Sequence, residues 1–225
     1  MIIDFRFNGP PGSANGGYTA GLLARELGAP GGAMVTLRRP PPLDTRLDVA
    51  PTDAGVALTD PEGQLIADAS PAELGDEALV APVSWAAAEE AAESYAGFAE
   101  HPFPTCFVCG PDRAPGDGLR LFPGRVDDTR TATPWVVPDD VDEVLVWAAL
   151  DCPGGWAVPL EARPYVLGRI TASVVKPPEP GSRCVIMGEV LDEEGRKARV
   201  RTTLYDGTGV PLARALSTWI AIPVV

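Results

Sequence analysis

Apolar and polar residues alternate at the start of the chain. Ile3, Phe5 and Phe7 share one side and Asp4 and Arg6 the other, a period of two that predicts a strand. The period changes in "TAGLLARELG" (19–28), where Ala20, Leu22, Leu23, Ala24 and Leu27 spread over several faces and predict a largely buried helix. Asn15 and the pair Gly16-Gly17 stand at its mouth, and two glycines at a helix start imply a close approach to the backbone there. Four β-rich runs follow: "AMVTLRR" (33–39), "RLDVAPT" (46–52), "GVALTD" (55–60) and "QLIADAS" (64–70). A connector helix is expected over 85–99, capped by Ser84. Trp85, Ala88, Ala92, Tyr95 and Ala99 lie on one face, and Glu89, Glu90 and Glu93 are exposed. Beyond it, "GLRLF" (118–122) and "RTATPWVV" (130–137) read as strands. The long runs "GRITASVVK" (168–176), "RCVIMGEVLD" (183–192), "KARVRTTLYD" (197–206) and "PLARALSTWIAI" (211–222) complete an antiparallel series with Asp/Gly turns between them.

The two halves echo each other. Arg39-Pro40-Pro41 matches Lys176-Pro177-Pro178 and Arg46 matches Arg183, both at an offset of 137. Gly16-Gly17-Tyr18 matches Gly154-Gly155-Trp156 at an offset of 138, and "DPEG" (60–63) matches "DGTG" (206–209) at 146. The alternative is chance pairing in a chain rich in Pro (25) and Gly (24). The repeat divides the chain into an N-terminal unit (1–82), a connecting helix and linker (83–104) and a C-terminal unit (105–225).

Composition narrows the function. With 18 Lys and Arg against 31 Asp and Glu, the net charge of −13 argues against nucleic-acid and membrane-surface partners. An anionic ligand would need a local basic or backbone-amide site. "MIIDFRFNG" (1–9) has neither the basic start nor the apolar core of an export signal, so the four cysteines are expected as reduced thiols in a cytoplasmic protein. Cys106 and Cys109 form one CxxC, but a zinc site normally needs four ligands, and Cys152 and Cys184 stand apart in sequence. His101 is a third ligand only through an awkward Pro-flanked loop. No metal is therefore expected, and the motif reads as a tight turn with small buried thiols.

Three segments carry a resemblance to a known family. "ANGGYTAGLLA" (14–24), "CFVCGPDRAPGDGLRLFPG" (106–124) and "WAALDCPGGWA" (147–157) resemble the helix entries and the Cys-Phe-x-Cys-Gly opening of the acyl-CoA thioesterase-like superfamily. The resemblance implies an α+β double hotdog, two curved antiparallel sheets each wrapping a central helix. It also implies an acyl-CoA or related acyl-thioester hydrolase with no cofactor. The alternative is a non-catalytic double hotdog that binds an acyl or CoA ligand.

On this resemblance Asp151 is the candidate base on water and Asn15 the orienting residue, each with an alternative reading as a helix cap. Gly16, Gly17 and Tyr18, with Gly154, Gly155 and Trp156, are the candidate substrate-binding positions. Their amides offer an oxyanion site at two helix mouths, the alternative being that the glycines let each helix start pass close to a partner strand. Relatives place a carboxylate or Asn two to three turns into the helix. Counted from Asn15 that zone holds Ala24, Arg25 and Glu26, so the first half lacks a well-placed base. The lone histidine, His101, does not support His-based triads. Arg38, Arg39 and Lys176, at strand ends, are candidates to meet CoA phosphates. Pairing into a homodimer stays open.

Overall fold

The computed structural model describes residues 1–223. Helix α1 (Gly16–Leu27) begins at Asn15, whose side-chain oxygen accepts from the Tyr18 amide, and ends at Gly28, whose φ of 65° only glycine adopts cheaply. Strands β1 (Ala33–Leu37), β2 (Asp48–Thr52), β3 (Gly55–Thr59) and β4 (Leu65–Pro71) follow as expected. Helix α2 (Trp85–Glu93) is capped by the Ser84 hydroxyl. It packs on the second half of the sheet through Ala88 and Ala91, against Ala132, Val185 and Met187. It is shorter than expected. The Ser94 hydroxyl donates to the Ala91 carbonyl, and the chain continues as a 3₁₀ turn over Ala96–Phe98.

Strands β5 (Gly124–Arg125) and β6 (Arg130–Val136) precede helices α3 (Glu143–Ala149) and α4 (Cys152–Gly155). The chain closes with β7 (Tyr165–Val174), β8 (Arg183–Glu194), β9 (Lys197–Tyr205) and β10 (Pro211–Ala221). Among the described residues the ten strands form one sheet in the order β2-β3-β4-β1-β7-β10-β9-β8-β6-β5. This corrects the expectation of two separate sheets. The halves join because β1 pairs antiparallel with β7, Val35 opposite Ile170, and both strands are buried there. The joint hides two edges that separate sheets would leave open.

The strand order is alike on both sides of the joint. β1, β4, β3 and β2 run outward from the joint in the same order as β7, β10, β9 and β8. The two Asp/Gly turns are equivalent: Asp60 Oδ1 accepts from the Gln64 amide and Asp206 Oδ1 from the Val210 amide. Gly63 and Gly209 adopt φ of 78° and 84°.

Two expected strands are absent. Ile3–Phe7 does not extend; Asp4 accepts from the Arg6 amide and starts a 3₁₀ turn over Phe5–Phe7, leaving Phe5 64% exposed. Only a single bridge, Ile2 to Arg46, remains where β6 lies in the other half. "GLRLF" also fails as a strand. Arg120 takes φ 49°, and Leu119 and Leu121 donate instead to the carbonyls of Phe107 and Val108.

Gly154-Gly155 is not a second helix mouth. The second helix starts at Asp142, whose carboxylate caps the Leu145 amide at 2.8 Å, and Gly154 and Gly155 lie in α4 beyond its break. A Cβ on Gly155 would fall 2.5 Å from the Trp219 ring, and one on Gly154 2.5 Å from Thr202 Oγ1, so both serve close packing.

Helices α1 and α3 run antiparallel in contact. Gly17 faces Trp147 and Asp151, and Gly21 faces Val144 and Trp147. Among the described residues no helix is long and apolar enough to cross a membrane. A Cβ on Gly21 would sit 2.8 Å from Trp147 Cβ and 3.0 Å from the Val144 backbone. Gly21→Ala should therefore cost about 1–3 kcal/mol through forced separation of the helices. Urea unfolding should show this as a lowered midpoint at unchanged slope.

Candidate functional site

The break between α3 and α4 creates the site. Leu150 closes α3, and Pro153, with no amide to donate, opens α4. Asp151 sits in the corner between them, nine residues beyond the Asp142 cap, and makes no capping bond. Its side chain reaches across to the start of α1. There Oδ2 accepts from the Gly17 amide and from Asn15 Nδ2, each at 3.0 Å. A Cβ on Gly17 would lie 2.5 Å from Asp151 Cβ, so only glycine lets the carboxylate come this close.

Asn15 does two jobs. Its oxygen caps the Tyr18 amide at 2.8 Å while its nitrogen holds Asp151. Both Asn15 and Asp151 are buried. Asp151 Oδ1 has no hydrogen-bond partner among the described residues. Burial pushes the Asp151 carboxyl up to about 7, against the opposing pull of the Gly17 amide.

The Gly17 and Tyr18 amides are thus engaged by Asp151 and Asn15. The Gly16 amide is the donor at the mouth of α1 left without a partner among the described residues. Asn15, Gly16, Cys106, Asp151, Cys152 and Trp156 line a cavity of about 40 Å³, room for a water but not for an acyl chain. An adjoining groove of about 340 Å³ shares Pro10, Gly16, Val166 and Leu167 with it and runs past Pro41, Ile220 and Arg39.

Of the other expected positions, Trp156 lines the cavity, while Gly154 and Gly155 pack away from it. The Tyr18 ring turns aside and stacks on Phe7 at 3.8 Å. Arg38 lines the groove but is paired with Asp68, whereas Arg39 is exposed and makes no ion pair among the described residues. Lys176 lies outside the groove, near Asp206.

The corresponding position on α1 is bare. Nine residues beyond the Asn15 cap stands Ala24, Glu26 is exposed, and the mouth of α3 carries an exposed Arg25–Asp142 pair at 3.6 Å. One buried carboxylate therefore serves the helix pair.

The thiols are not scattered as the sequence spacing suggested. Cys152 Sγ lies 3.9 Å from Cys106 Sγ, and the sulfur atoms of Cys106, Cys109 and Cys152 are all within 4.8 Å of one another. His101 Nε2 is 3.4 Å from Cys109 Sγ. The break after α3 that aims Asp151 also delivers Cys152, and spacing along the chain gave no sign of that.

No protein-family model matches the sequence, and no curated protein matches it. Solved structures do. A conserved protein of unknown function with a hot dog fold from Alicyclobacillus acidocaldarius superposes with a TM-score of 0.61 at 12% identity, over 95% of this chain and 89% of that one. The TesB protein of Mycobacterium avium subspecies paratuberculosis gives 0.60 at 12% identity, with the same 95% and 89% coverage. A candidate thioesterase from Novosphingobium aromaticivorans gives 0.59 at 16%, over 96% and 91%. Similarity spanning nearly the whole of each chain, on a mixed α+β framework with one large antiparallel sheet, shows that this polypeptide has the hotdog fold.

Proposed function

We propose that the protein is an acyl-thioester hydrolase acting on acyl-CoA, built as a tandem double hotdog from units at 1–82 and 105–225 with a connector at 83–104. One observation carries the reading. The buried Asp151 carboxylate has one oxygen held by two donors and the other free, beside a cavity large enough for water. That meets two needs of a general base: a fixed orientation and an oxygen with an uncommitted lone pair.

In the reaction, Asp151 Oδ1 takes a proton from a water in the cavity. The water oxygen attacks the thioester carbonyl, and the Gly16 amide donates to the developing oxyanion at the positive end of α1. Collapse breaks the C–S bond, the departing CoA sulfur takes the proton back from Asp151, and the products are the free thiol and the carboxylic acid. Asn15 is a positioning residue that holds Asp151 and leaves the chemistry to it. The groove past Leu167 and Ile220 receives the substrate, and Arg39 at its rim meets the CoA phosphates. The TesB protein and the candidate thioesterase among the structural neighbours support the same class. Hydrolysis by this route uses water and no organic cofactor.

Steady-state thiol release from a panel of acyl-CoAs tests the proposal. Asp151→Asn should lower kcat/KM by about 10²–10⁴-fold, the usual range for a positioned base, while the melting temperature at neutral pH does not fall, since Asn carries none of the cost of a buried charge. Saturable binding without turnover at any chain length would overturn hydrolysis and leave a ligand-binding protein. Asn15→Ser keeps a capping oxygen but removes the donor to Asp151. Its kcat should fall about 10–100-fold, the worth of a hydrogen bond to a charged group, at unchanged KM. Arg39→Ala should raise KM about 2–5-fold for CoA esters at low salt, as for an exposed ion pair, and leave short thioesters lacking the nucleotide unaffected.

A further inference from the structure

Among the described residues, Cys106, Cys109 and Cys152 form the one group of three ligand-type side chains close enough together to share a metal ion. All three are at most 4% exposed. A tetrahedral zinc with Zn–S bonds of about 2.3 Å holds its sulfur atoms about 3.8 Å apart. The Cys106–Cys152 separation of 3.9 Å fits one such edge, and the remaining pairs lie within 4.8 Å. Cys184, the fourth cysteine, is outside the cluster.

Packing alone explains three buried thiols poorly. A neutral thiol is a weak acceptor and needs few donors. Here the donors converge on sulfur. The two sulfurs of the CxxC sit on a turn that closes on Gly110, whose amide meets the Cys106 carbonyl at 2.9 Å. Asn15 Nδ2 approaches the Cys106 sulfur at 3.9 Å. His101 Nδ1 accepts from the Phe103 amide at 2.8 Å, which leaves Nε2–H to donate to Cys109 Sγ at 3.4 Å. Such a set neutralises thiolate charge and orients ligands around a metal. A Cβ on Gly110 would lie 2.5 Å from the Cys106 amide and from the Pro104 carbonyl, so the turn that presents the two sulfurs requires glycine.

We propose that Cys106, Cys109 and Cys152 bind one Zn²⁺ ion through their thiolates, with the fourth position filled by an exogenous ligand such as water. The soft sulfur set selects zinc over magnesium or calcium. His101 acts outside the coordination shell, as a donor to the Cys109 sulfur. The three ligands come from both sides of the central break: two from the turn after the connector, one from α4. Metal binding then ties the loop of 106–110 to the second helix, and its free energy adds to folding.

The test uses the full, reduced chain after chelator treatment, titrated with Zn²⁺ and separately with Co²⁺. The expected result is one ion per chain and a thiolate-to-cobalt charge-transfer band of three-thiolate intensity, displaced by Zn²⁺. Cys152→Ser should weaken Zn²⁺ binding by more than about 100-fold, since even outer-shell losses cost about 10–100-fold, while Cys184→Ser should leave it unchanged. Absence of a thiolate band in the wild-type chain would overturn the site whether or not the Cys152 variant folds. Wild-type affinity in Cys152→Ser would overturn the ligand set.

Discussion

Two helices approach so closely at the centre of this molecule that side chains at two positions must be absent. Gly17 and Gly21 on α1 meet the backbone and side chains of Val144, Trp147 and Asp151 at distances a Cβ would violate. Everything that distinguishes the site follows from that contact. It brings a helix-terminal amide within 3.0 Å of a buried carboxylate and lets Asn15 join the two. A wider crossing would leave Asp151 without donors, and an unpaired buried carboxylate is costly.

The same contact separates the two ends of the helix pair. At one end a buried carboxylate, an uncommitted amide and a small cavity converge. At the other, Ala24 stands where the carboxylate would be, and Arg25 and Asp142 form an exposed ion pair. The helix pair thus has unequal ends. The sheet tolerates this because the joint of β1 with β7 depends on backbone pairing, with small and branched residues such as Val35, Ile170 and Ala172 filling it.

Close packing at the break between α3 and α4 has a second consequence. Adjacent residues there point to different neighbours: Asp151 to the start of α1, Cys152 to the CxxC turn. The proposed base and the thiol cluster therefore share one short segment and line one cavity. Gly154 and Gly155 hold that segment down on β9 and Trp219.

Much of this was legible in the residue pattern. The β-rich runs, α1 with its Asn15 cap, the connector capped by Ser84 and the equivalence of the two Asp/Gly turns are all local. Periodicity, capping chemistry and turn residues act over a few positions and leave their mark in order along the chain. Asp151 stood out because a carboxylate inside an apolar run is unusual. The tertiary structure alone decided the rest. The alternation at Ile3–Phe7 lost to a local Asp4 turn, the matching Gly-Gly pairs had different roles, and two sheets became one. It also put Cys152 against Cys106 across 46 positions of chain, and the free amide on Gly16 rather than Gly17. Those outcomes depend on which surfaces meet, and close contact between distant segments has no local signature in sequence.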